Sequence, residues 1–255
     1  MTSITPFPER TAPRPMNWPG LRMIHANYLL MRIHLRIAFG RGLHGSRRRL
    51  LALGINFYPA VKRLMDMSGA GLLLLALSPL LIATALIIRW TSPGPVFYSQ
   101  ERCGRHGKRF HMFKFRSMYR DADRRKAELM ADNEAGAVLF KMKRDPRITP
   151  IGRVIRKLSI DELPQLWNIL RGEMSLVGPR PPVPGEVAEY AVTDRWRLDM
   201  TPGLTCYWQV SGRSDLSFEQ QVRLDRRYYF ERGLATDFVL LLRTVPAVLS
   251  GKGAY

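Results

Sequence analysis

The densest set of residues able to do chemistry lies between Arg153 and Pro182, in RVIRKLSIDELPQLWNILRGEMSLVGPRPP. Three cations precede the adjacent carboxylates Asp161 and Glu162, and further arginines follow them. Cations can hold phosphate oxygens, while a carboxylate can bind Mg²⁺ or attack phosphorus. The stretch therefore indicates a phosphoryl-transfer site, although both acids could instead only begin a helix.

The helix start near these acids can be placed in two ways. Ser159 and Glu162 match a capping box, but a helix begun at Ser159 would hold Pro164 in its interior and lose a hydrogen bond. With Asp161 as N-cap, Pro164 falls in the first turn, where its missing N–H has no cost. We therefore expect Asp161 at the helix start, where free N–H groups attract phosphate. Arg156 is expected to help keep the Asp161 carboxylate ionised.

Histidine and cysteine chemistry is excluded beside these acids. All five histidines lie at or before position 111, so a Ser-His-Asp triad or a histidine-based metal cluster does not fit. The two cysteines, Cys103 and Cys206, form no CxxC pair. A disulfide framework and a cysteine-rich zinc site are thereby excluded, and a reducing compartment is favoured.

The charge of the chain predicts anionic partners. The 255 residues contain 40 Lys and Arg against 21 acids, a net charge of +19, and the excess lies in residues 1–160. Such a balance suits nucleic acid, an anionic membrane surface or phosphorylated substrates. The positive excess stops where the carboxylates begin, and no nucleic-acid motif with interleaved aromatic residues is present. We therefore expect a membrane surface and phosphorylated substrates, and no nucleic acid.

One segment is long enough for a membrane. Residues 67–88 form an uncharged run of 22 residues, and a spanning helix needs about 20. Ser78 and Pro79 interrupt its middle, where a kink is expected. Both flanks are strongly basic, and basic flanks prefer the cytoplasmic side. The pattern favours a re-entrant hairpin broken at Ser78-Pro79 over a straight, kinked span.

The remaining patterns predict a mostly helical α+β protein. Two β-type runs around a Gly-containing turn, within residues 96–119, read as a β-hairpin. Helix-type patterns occur at 121–135, 163–171, 185–200, 217–232 and 237–249, and the last predicts an interfacial or buried helix. The domain prediction is a basic, partly disordered extension over 1–60, a re-entrant helix over 61–90 and a catalytic domain over 91–255.

Several long motifs follow one another along the chain. They are LSP at 77–79, QERCGRHGKRF at 100–110, FKFRSM at 113–118, DPRITPIGRVIRKLSIDELPQLWNILRGEMSLVGPRP at 145–181, TPGLTCYWQVSGR at 201–213, LDRRYY at 224–229 and the closing DFVLLLRTVPAVLSGKGAY. In these motifs the sequence resembles the monotopic bacterial phosphoglycosyl transferases, the bacterial sugar transferase family. The resemblance leaves residues 1–60 uncovered.

The resemblance implies a monotopic fold, with interfacial helices around an active site on the cytoplasmic face of the bacterial inner membrane. It implies that Asp161 attacks the β-phosphate of a UDP-sugar and that Glu162 binds Mg²⁺. Ser78 and Pro79 match the break of the family's re-entrant helix. The other implied site residues are Arg156, Arg180, Lys114 and Arg116 as phosphate ligands and Asp225 as a further active-site acid.

The implied substrates are a UDP-sugar donor and undecaprenyl phosphate as the polyprenol acceptor, with UMP released at the start of exopolysaccharide or glycoconjugate assembly. The closing GKGAY is similar to members that transfer galactose-1-phosphate or glucose-1-phosphate. Cys206 and Tyr207 stand where the family often has Gly and Trp, so the donor sugar stays open. The oligomeric state also stays open, with a homodimer among the options.

Overall fold

The structure is a computed structural model that describes residues 45–122, 124–125, 142, 145–251 and 253. The chain divides into two compact units, Met1–Ile55 and Asn56–Tyr255. Every site residue predicted above lies in the second unit. Residues 1–44 of the extension predicted over 1–60, and most of the helix predicted at 121–135, lie outside the described residues.

The described part of the chain is a mostly helical α+β fold, as predicted. Its helices are α1 (Gly45–Ala76), α2 (Ser78–Thr91), α3 (Pro150–Lys157), α4 (Gln165–Arg171), α5 (Pro184–Ala188), α6 (Phe218–Glu231) and α7 (Leu234–Ser250). Its strands are β1 (Phe97–Cys103), β2 (Arg109–Phe115), β3 (Ser175–Val177) and β4 (Gly203–Thr205).

The apolar segment is broken at the predicted position. Leu77 separates α1 from α2, and Pro79 stands in the first turn of α2. Because proline has no N–H, it cannot bond to the carbonyl of Leu75 four residues earlier. The hydroxyl of Ser78 donates to that carbonyl instead, at 2.8 Å. Ser78 thus supplies the hydrogen bond that Pro79 removes.

The two apolar helices bend sharply at this break. Among the described residues, no one helix has both the length and the apolarity to cross a bilayer. The pair Tyr58–Ala76 and Ser78–Thr91 meets the length and composition requirement together, and its members are bent by 61°. This bend agrees with the predicted break and is compatible with a re-entrant hairpin.

The predicted β-hairpin is present. Strands β1 and β2 pair antiparallel, with Tyr98 opposite Lys114, and a short 3₁₀ turn at Arg105–Gly107 joins them. Just beyond β2, the backbone N–H of Arg116 donates to the carbonyl of Val96 at 2.9 Å. The hairpin therefore holds the two cations of FKFRSM on one short length of chain.

A second sheet was not predicted. Strands β3 and β4 are three residues each and pair in parallel. Just past β3, the backbones of Gly178 and Gly203 approach so closely that a Cβ on either residue would collide with the other strand's backbone. Gly203 N–H donates to the carbonyl of Pro179 at 2.9 Å. This contact fixes the start of the turn that carries Arg180.

The predicted start of the helix after Asp161 is wrong. Residues Ile160–Glu162 form a 3₁₀ turn, and the α-helix α4 begins only at Gln165, directly after Pro164. Ser159 has φ 54° and its side chain caps nothing, so the capping box is wrong as well. Proline fits just before the α-helix because its missing N–H leaves no helical bond unmade.

The helix predicted at 185–200 is two shorter elements. Helix α5 ends at Ala188, Ala191 is extended with ψ 150°, and a 3₁₀ segment follows over Val192–Asp199. The extended residue breaks the continuous hydrogen-bond series that one helix would need. The helices predicted at 217–232 and 237–249 are present as α6 and α7. Helix α7 buries Leu240 and exposes Leu242, so only one of its faces is buried.

Two sets of contacts hold the site region together. Ile88, Phe115 and Ile155 form a buried cluster that joins α2, β2 and α3. Asn168 is fully buried in α4, and its amide accepts from Phe113 N–H at 3.1 Å and donates to His111 O at 2.7 Å. Asn168 thereby fastens α4, and the acidic turn before it, to the hairpin.

Candidate active site

A cavity of about 680 Å³ opens beside the acidic turn. Cations outnumber acids among the described residues that line it. The cations are Arg102, Lys114, Arg116, Arg120, Arg147, Arg156, Arg180, Arg197 and Arg213, and the acids are Asp161, Glu162 and Glu186. A concave, cationic wall with a few acids is suited to an anionic, phosphorylated ligand.

The two adjacent acids have different surroundings. Glu162 accepts a 2.7 Å hydrogen bond from Lys114 Nζ on β2. Burial raises the pKa of Asp161 to about 6, although Lys114 and Arg156 oppose the rise. Burial alone would also raise the pKa of Glu162, but Lys114 and Arg180 outweigh it and hold that pKa at about 2. Arg156 therefore lowers the pKa of Asp161, as expected, but burial has the larger effect and the pKa is raised.

Arg156 and Arg180 reach the same cavity from separate elements. Arg156 lies in the last turn of α3, and Arg180 lies in the turn after β3. The Arg180 guanidinium lies 6.0 Å from the ring centre of Trp208. Arg180 is an exposed residue, so its charged end is accessible to a ligand. The structure thus brings both predicted phosphate ligands to the cavity that holds Asp161.

Arg116 lines this cavity as a buried residue, with 7% of its surface exposed. Its Nη2 donates to the carbonyl of Ser92 at 2.6 Å. Its Nε and Nη1 are buried and have no hydrogen-bond partner within the described part of the chain. Buried guanidinium N–H groups are normally paired, so this side chain calls for an explanation.

Asp225 lies outside the set of residues that line the cavity. It is 1% exposed and accepts two hydrogen bonds from Arg197, at 2.6 and 3.0 Å. Burial raises the pKa of Asp225 to about 6, although Arg197 opposes the rise. Arg197 itself lines the cavity and donates to Tyr190 Oη at 2.7 Å. The predicted acid therefore contacts the site through Arg197.

Several arginines of the cavity were quoted in motifs but given no role from the sequence. Arg102 is buried and donates to the carbonyl of Pro181 at 2.9 Å, beside Arg180. Arg213, in SGR, donates to Ser159 Oγ at 3.4 Å. Ser159 and Arg213 have φ values of 54° and 53°, and such left-handed non-glycine residues are enriched at functional sites. The only sign of these arginines in the sequence is that they lie inside long motifs. A motif does not show which residues are close together in space.

The donor set suits magnesium. No group of three or more His, Cys, Asp or Glu able to hold a metal occurs among the described residues. Mg²⁺ commonly binds through one or two carboxylates and completes its shell with water and substrate phosphates. Asp161 and Glu162 both line the cavity, and the Glu162 side chain is 23% exposed. The residues present therefore fit a magnesium ion shared with a phosphorylated substrate.

Comparison with protein families assigns the chain to a family. The family model described as bacterial sugar transferase matches residues 57–251. The chain belongs to the bacterial sugar transferase family. The resemblance drawn from the motifs is thereby confirmed, and the matched range contains every site residue discussed above.

Three relatives illustrate the range of similarity. The exopolysaccharide production protein ExoY of Sinorhizobium fredii is 42% identical over 198 residues, covering 76% of this chain and 88% of its own length. The undecaprenyl-phosphate galactose phosphotransferase of Salmonella typhimurium is 42% identical over 199 residues, covering 76% of this chain and 42% of its own. The undecaprenyl-phosphate glucose phosphotransferase of Komagataeibacter xylinus is 41% identical over 207 residues, covering 76% and 37%.

The match with ExoY covers most of the length of ExoY. The matches with the two phosphotransferases cover less than half of the length of each of those proteins. The family match over residues 57–251 includes both acids of the pair, Asp161 and Glu162. The further residues of the two longer proteins have no counterpart in these matches.

Proposed function

We propose that this protein transfers hexose-1-phosphate from a UDP-sugar to undecaprenyl phosphate and releases UMP. The observation that carries the proposal is the pair Asp161-Glu162 in the wall of a cavity where cations predominate. The names of the relatives support undecaprenyl phosphate as acceptor and galactose or glucose as the sugar. The name of the ExoY relative supports a role in exopolysaccharide production, and the proposed reaction would be the first membrane step of that assembly.

Asp161 is the proposed nucleophile. Its pKa of about 6 lies below neutral pH, so the carboxylate is mostly ionised and able to attack phosphorus. Glu162 remains ionised over a wider range because of its low pKa, but Lys114 already holds one of its oxygens. The less tightly paired of two ionised carboxylates is the better nucleophile, which favours Asp161.

Two displacement steps follow from this assignment. In the first, an oxygen of Asp161 bonds to the β-phosphorus of the donor, and the bond from that phosphorus to the bridging oxygen breaks, so that UMP leaves. In the second, a phosphate oxygen of undecaprenyl phosphate bonds to the same phosphorus. The bond to Asp161 then breaks and returns the electron pair to the carboxylate, leaving undecaprenyl diphosphate sugar.

Arg180, Arg156 and Lys114 are the proposed ligands of the donor phosphates. Arg180 and Arg156 reach the cavity from the turn after β3 and from α3, so they can hold phosphate oxygens from two directions. Such preplaced cations stabilise charge that develops on phosphoryl oxygens. They also reduce the repulsion between the anionic donor and the carboxylate of Asp161.

Glu162, with Asp161 beside it, would hold Mg²⁺. When bound, the ion would neutralise phosphate charge and polarise a phosphoryl oxygen. Lys114 fixes one oxygen of Glu162 at 2.7 Å and so limits the orientations of its carboxylate. Asp225 serves a different purpose in this proposal, because it orients Arg197 in the cavity wall without lining it.

We also propose that α1 and α2 form a re-entrant hairpin in the cytoplasmic membrane, with the cavity on the cytoplasmic face. Arg63, near the start of the apolar pair, donates to the carbonyls of Ile169 and Leu170 at 2.6 and 2.8 Å. Arg116 donates to the carbonyl of Ser92 at the other end of the pair. Both ends are therefore held by the catalytic part of the chain, which favours one side of the membrane for both.

A transferase that moves the sugar alone is the main alternative. It would release UDP, whereas the proposed reaction releases UMP. Incubating the purified enzyme with each UDP-sugar, without acceptor, should release UMP and add one hexose phosphate to the peptide that contains Asp161, as detected by mass spectrometry. Asp161→Asn should do neither. Release of UDP, or of UMP only when the acceptor is present, would refute the covalent mechanism.

A further inference from the structure

One part of the cavity wall contains cations whose pairing differs from that of Lys114. It is formed by the chain that follows α2 and by the chain that follows β2, with Pro95, Phe97, Arg116 and Arg120 among its residues. The cations on this wall differ from Lys114, which is paired with Glu162. Within the described part of the chain, neither Arg116 nor Arg120 forms a salt bridge, although Arg120 is near enough to repel Arg116.

Arg116 is the focus of this wall because it is buried and incompletely paired. A guanidinium carries five N–H donors, and only Nη2 of Arg116 has a partner, the Ser92 carbonyl. Leaving buried donors of a charged group unpaired is costly, so such a group is explained best by a ligand that pairs with it. The cavity beside it and the neighbouring cation select for an anion with several acceptor oxygens.

The position of Arg116 indicates which anion this is. Ser92 follows the last residue of α2 directly, so Arg116 is bonded to the end of the apolar helix pair. Trp90 is 79% exposed at the end of the same helix, and Phe97 is 55% exposed and also lines the cavity. Aromatic side chains of this kind concentrate where membrane and water meet. A phosphate carried by a lipid would arrive at this place, whereas a soluble nucleotide has no need of an apolar approach.

We propose that Arg116 is the residue that binds the phosphate of the lipid acceptor, in a subsite separate from the one that holds the donor diphosphate. This inference rests on the two-step function proposed above. Arg116 would place an acceptor phosphate oxygen for attack on the phosphorus bound to Asp161. Gly94 packs directly against this side chain, because a Cβ at this position would collide with Nη1 of Arg116.

The two half-reactions allow a direct test with Arg116→Gln. Glutamine carries no charge and ends two bonds short of the Nη2 atom that contacts the Ser92 carbonyl, so the variant loses both the charge and this contact. UMP release and adduct formation with donor alone should stay within about 3-fold of wild type, because the donor subsite is intact. Transfer from the isolated adduct to undecaprenyl phosphate should fall by at least about 10-fold, the scale of losing hydrogen bonds from a charged donor. Arg105→Gln, an exposed site outside the cavity, is the matched control.

Gly94→Ala gives a second variant that keeps the charge and crowds Nη1 of Arg116; because Gly94 has φ 120°, it should lose some stability as well as the acceptor step. Inorganic phosphate should compete with undecaprenyl phosphate in wild type and much less in Arg116→Gln. If Arg116→Gln slowed the donor half-reaction as much as the acceptor step, Arg116 would bind the donor or support the fold. If the acceptor step were unchanged, Arg116 would not bind the acceptor phosphate. Either result would overturn the inference.

Failure of the proposed function would be visible separately. If wild type formed no adduct, the covalent mechanism would be wrong, and equilibrium binding of undecaprenyl phosphate in nanodiscs would still test Arg116. Weaker binding by Arg116→Gln than by Arg105→Gln would support the subsite, and equal binding would refute it.

Discussion

Lys114 Nζ lies 2.7 Å from Glu162 Oε1, so the hairpin lysine pairs with the second acid of the Asp161-Glu162 turn. This contact helps to give adjacent carboxylates different proton affinities, with pKa values of about 6 for Asp161 and about 2 for Glu162. Burial raises the pKa of both acids, whereas the direct hydrogen bond from Lys114 belongs to Glu162 alone. This difference between two neighbouring carboxylates supports the proposed roles of Asp161 as nucleophile and Glu162 as metal ligand.

The first prediction concerns the pH dependence of the donor half-reaction. The reactive form of Asp161 is the carboxylate, so the rate should fall as the pH drops below about 6. Lys114 lowers the pKa of Asp161, and Lys114→Gln should therefore move this acid limb to higher pH. Single-turnover UMP release across a pH series measures the shift. Lys108→Gln, an exposed lysine outside the cavity, should leave the limb in place.

The second prediction concerns stability. Folding raises the pKa of Asp161 from 3.8 to about 6. The contribution of Asp161 to the free energy of unfolding is therefore fully favourable below pH 3.8 and is lost as the pH rises through about 6. Asp161→Asn should therefore stabilise the protein by on the order of 1–3 kcal/mol at about pH 7.5, with a smaller gain at about pH 5. Thermal unfolding in detergent measures both. A gain that did not depend on pH would contradict the assigned cause.

Asp145→Asn is the opposite case and serves as the comparison. Burial opposes ionisation of Asp145, but its hydrogen bonds with Arg147 outweigh burial and hold its pKa below the usual value. Its contribution is therefore present above the unfolded pKa and lost as the pH falls through the folded value. Asp145→Asn should destabilise the protein at neutral pH, and the loss should diminish in acid.

The third prediction concerns the metal. Removal of divalent cations with EDTA should abolish the donor half-reaction, and Mg²⁺ should restore it, because the metal would neutralise phosphate charge beside Glu162. Glu162→Gln should lower the rate by on the order of 10²-fold, and excess Mg²⁺ should not rescue it. Normal UMP release in EDTA would remove the metal from the mechanism.

The fourth prediction concerns Arg180. Arg180→Ala should lower the single-turnover rate with donor by on the order of 10²-fold, the scale of losing one donor to transition-state charge. Arg171→Ala is the control, because Arg171 is exposed, lies outside the cavity and pairs with Glu173 at 3.2 Å. Similar effects of the two variants would mean that Arg180 contributes only general positive charge.

The fifth prediction concerns topology. Cysteines placed at the exposed residues Ala60 and Lys108, on either side of the uncharged run 67–88, should both react with an impermeant thiol reagent only from the cytoplasmic side. The parent chain, whose Cys103 and Cys206 are buried, provides the background. Labelling of the two cysteines from opposite sides would show that the apolar helices cross the membrane. Pro79→Leu should produce that pattern, because it removes the break in the helix.

The sequence alone determined the features that depend on local chain chemistry. The break at Ser78-Pro79 follows from the missing proline N–H, and the β1–β2 hairpin follows from two β-type runs around a glycine-containing turn. The acidic pair and the family were also readable from the sequence, because both depend on residues that are consecutive in the chain.

How these pieces meet depends on contacts between residues that are far apart in the chain. Lys114 is 48 positions from Glu162, and Arg197 is 28 from Asp225, so no local pattern reveals that each pair is bonded. The position of Arg180 depends on the close approach of β3 and β4, and these three-residue strands carry too little periodicity to be recognised. The unequal pKa values of the acidic pair depend on burial and on distant cations. Desolvation and charge interactions are set by distance in space, which the order of residues along the chain does not specify.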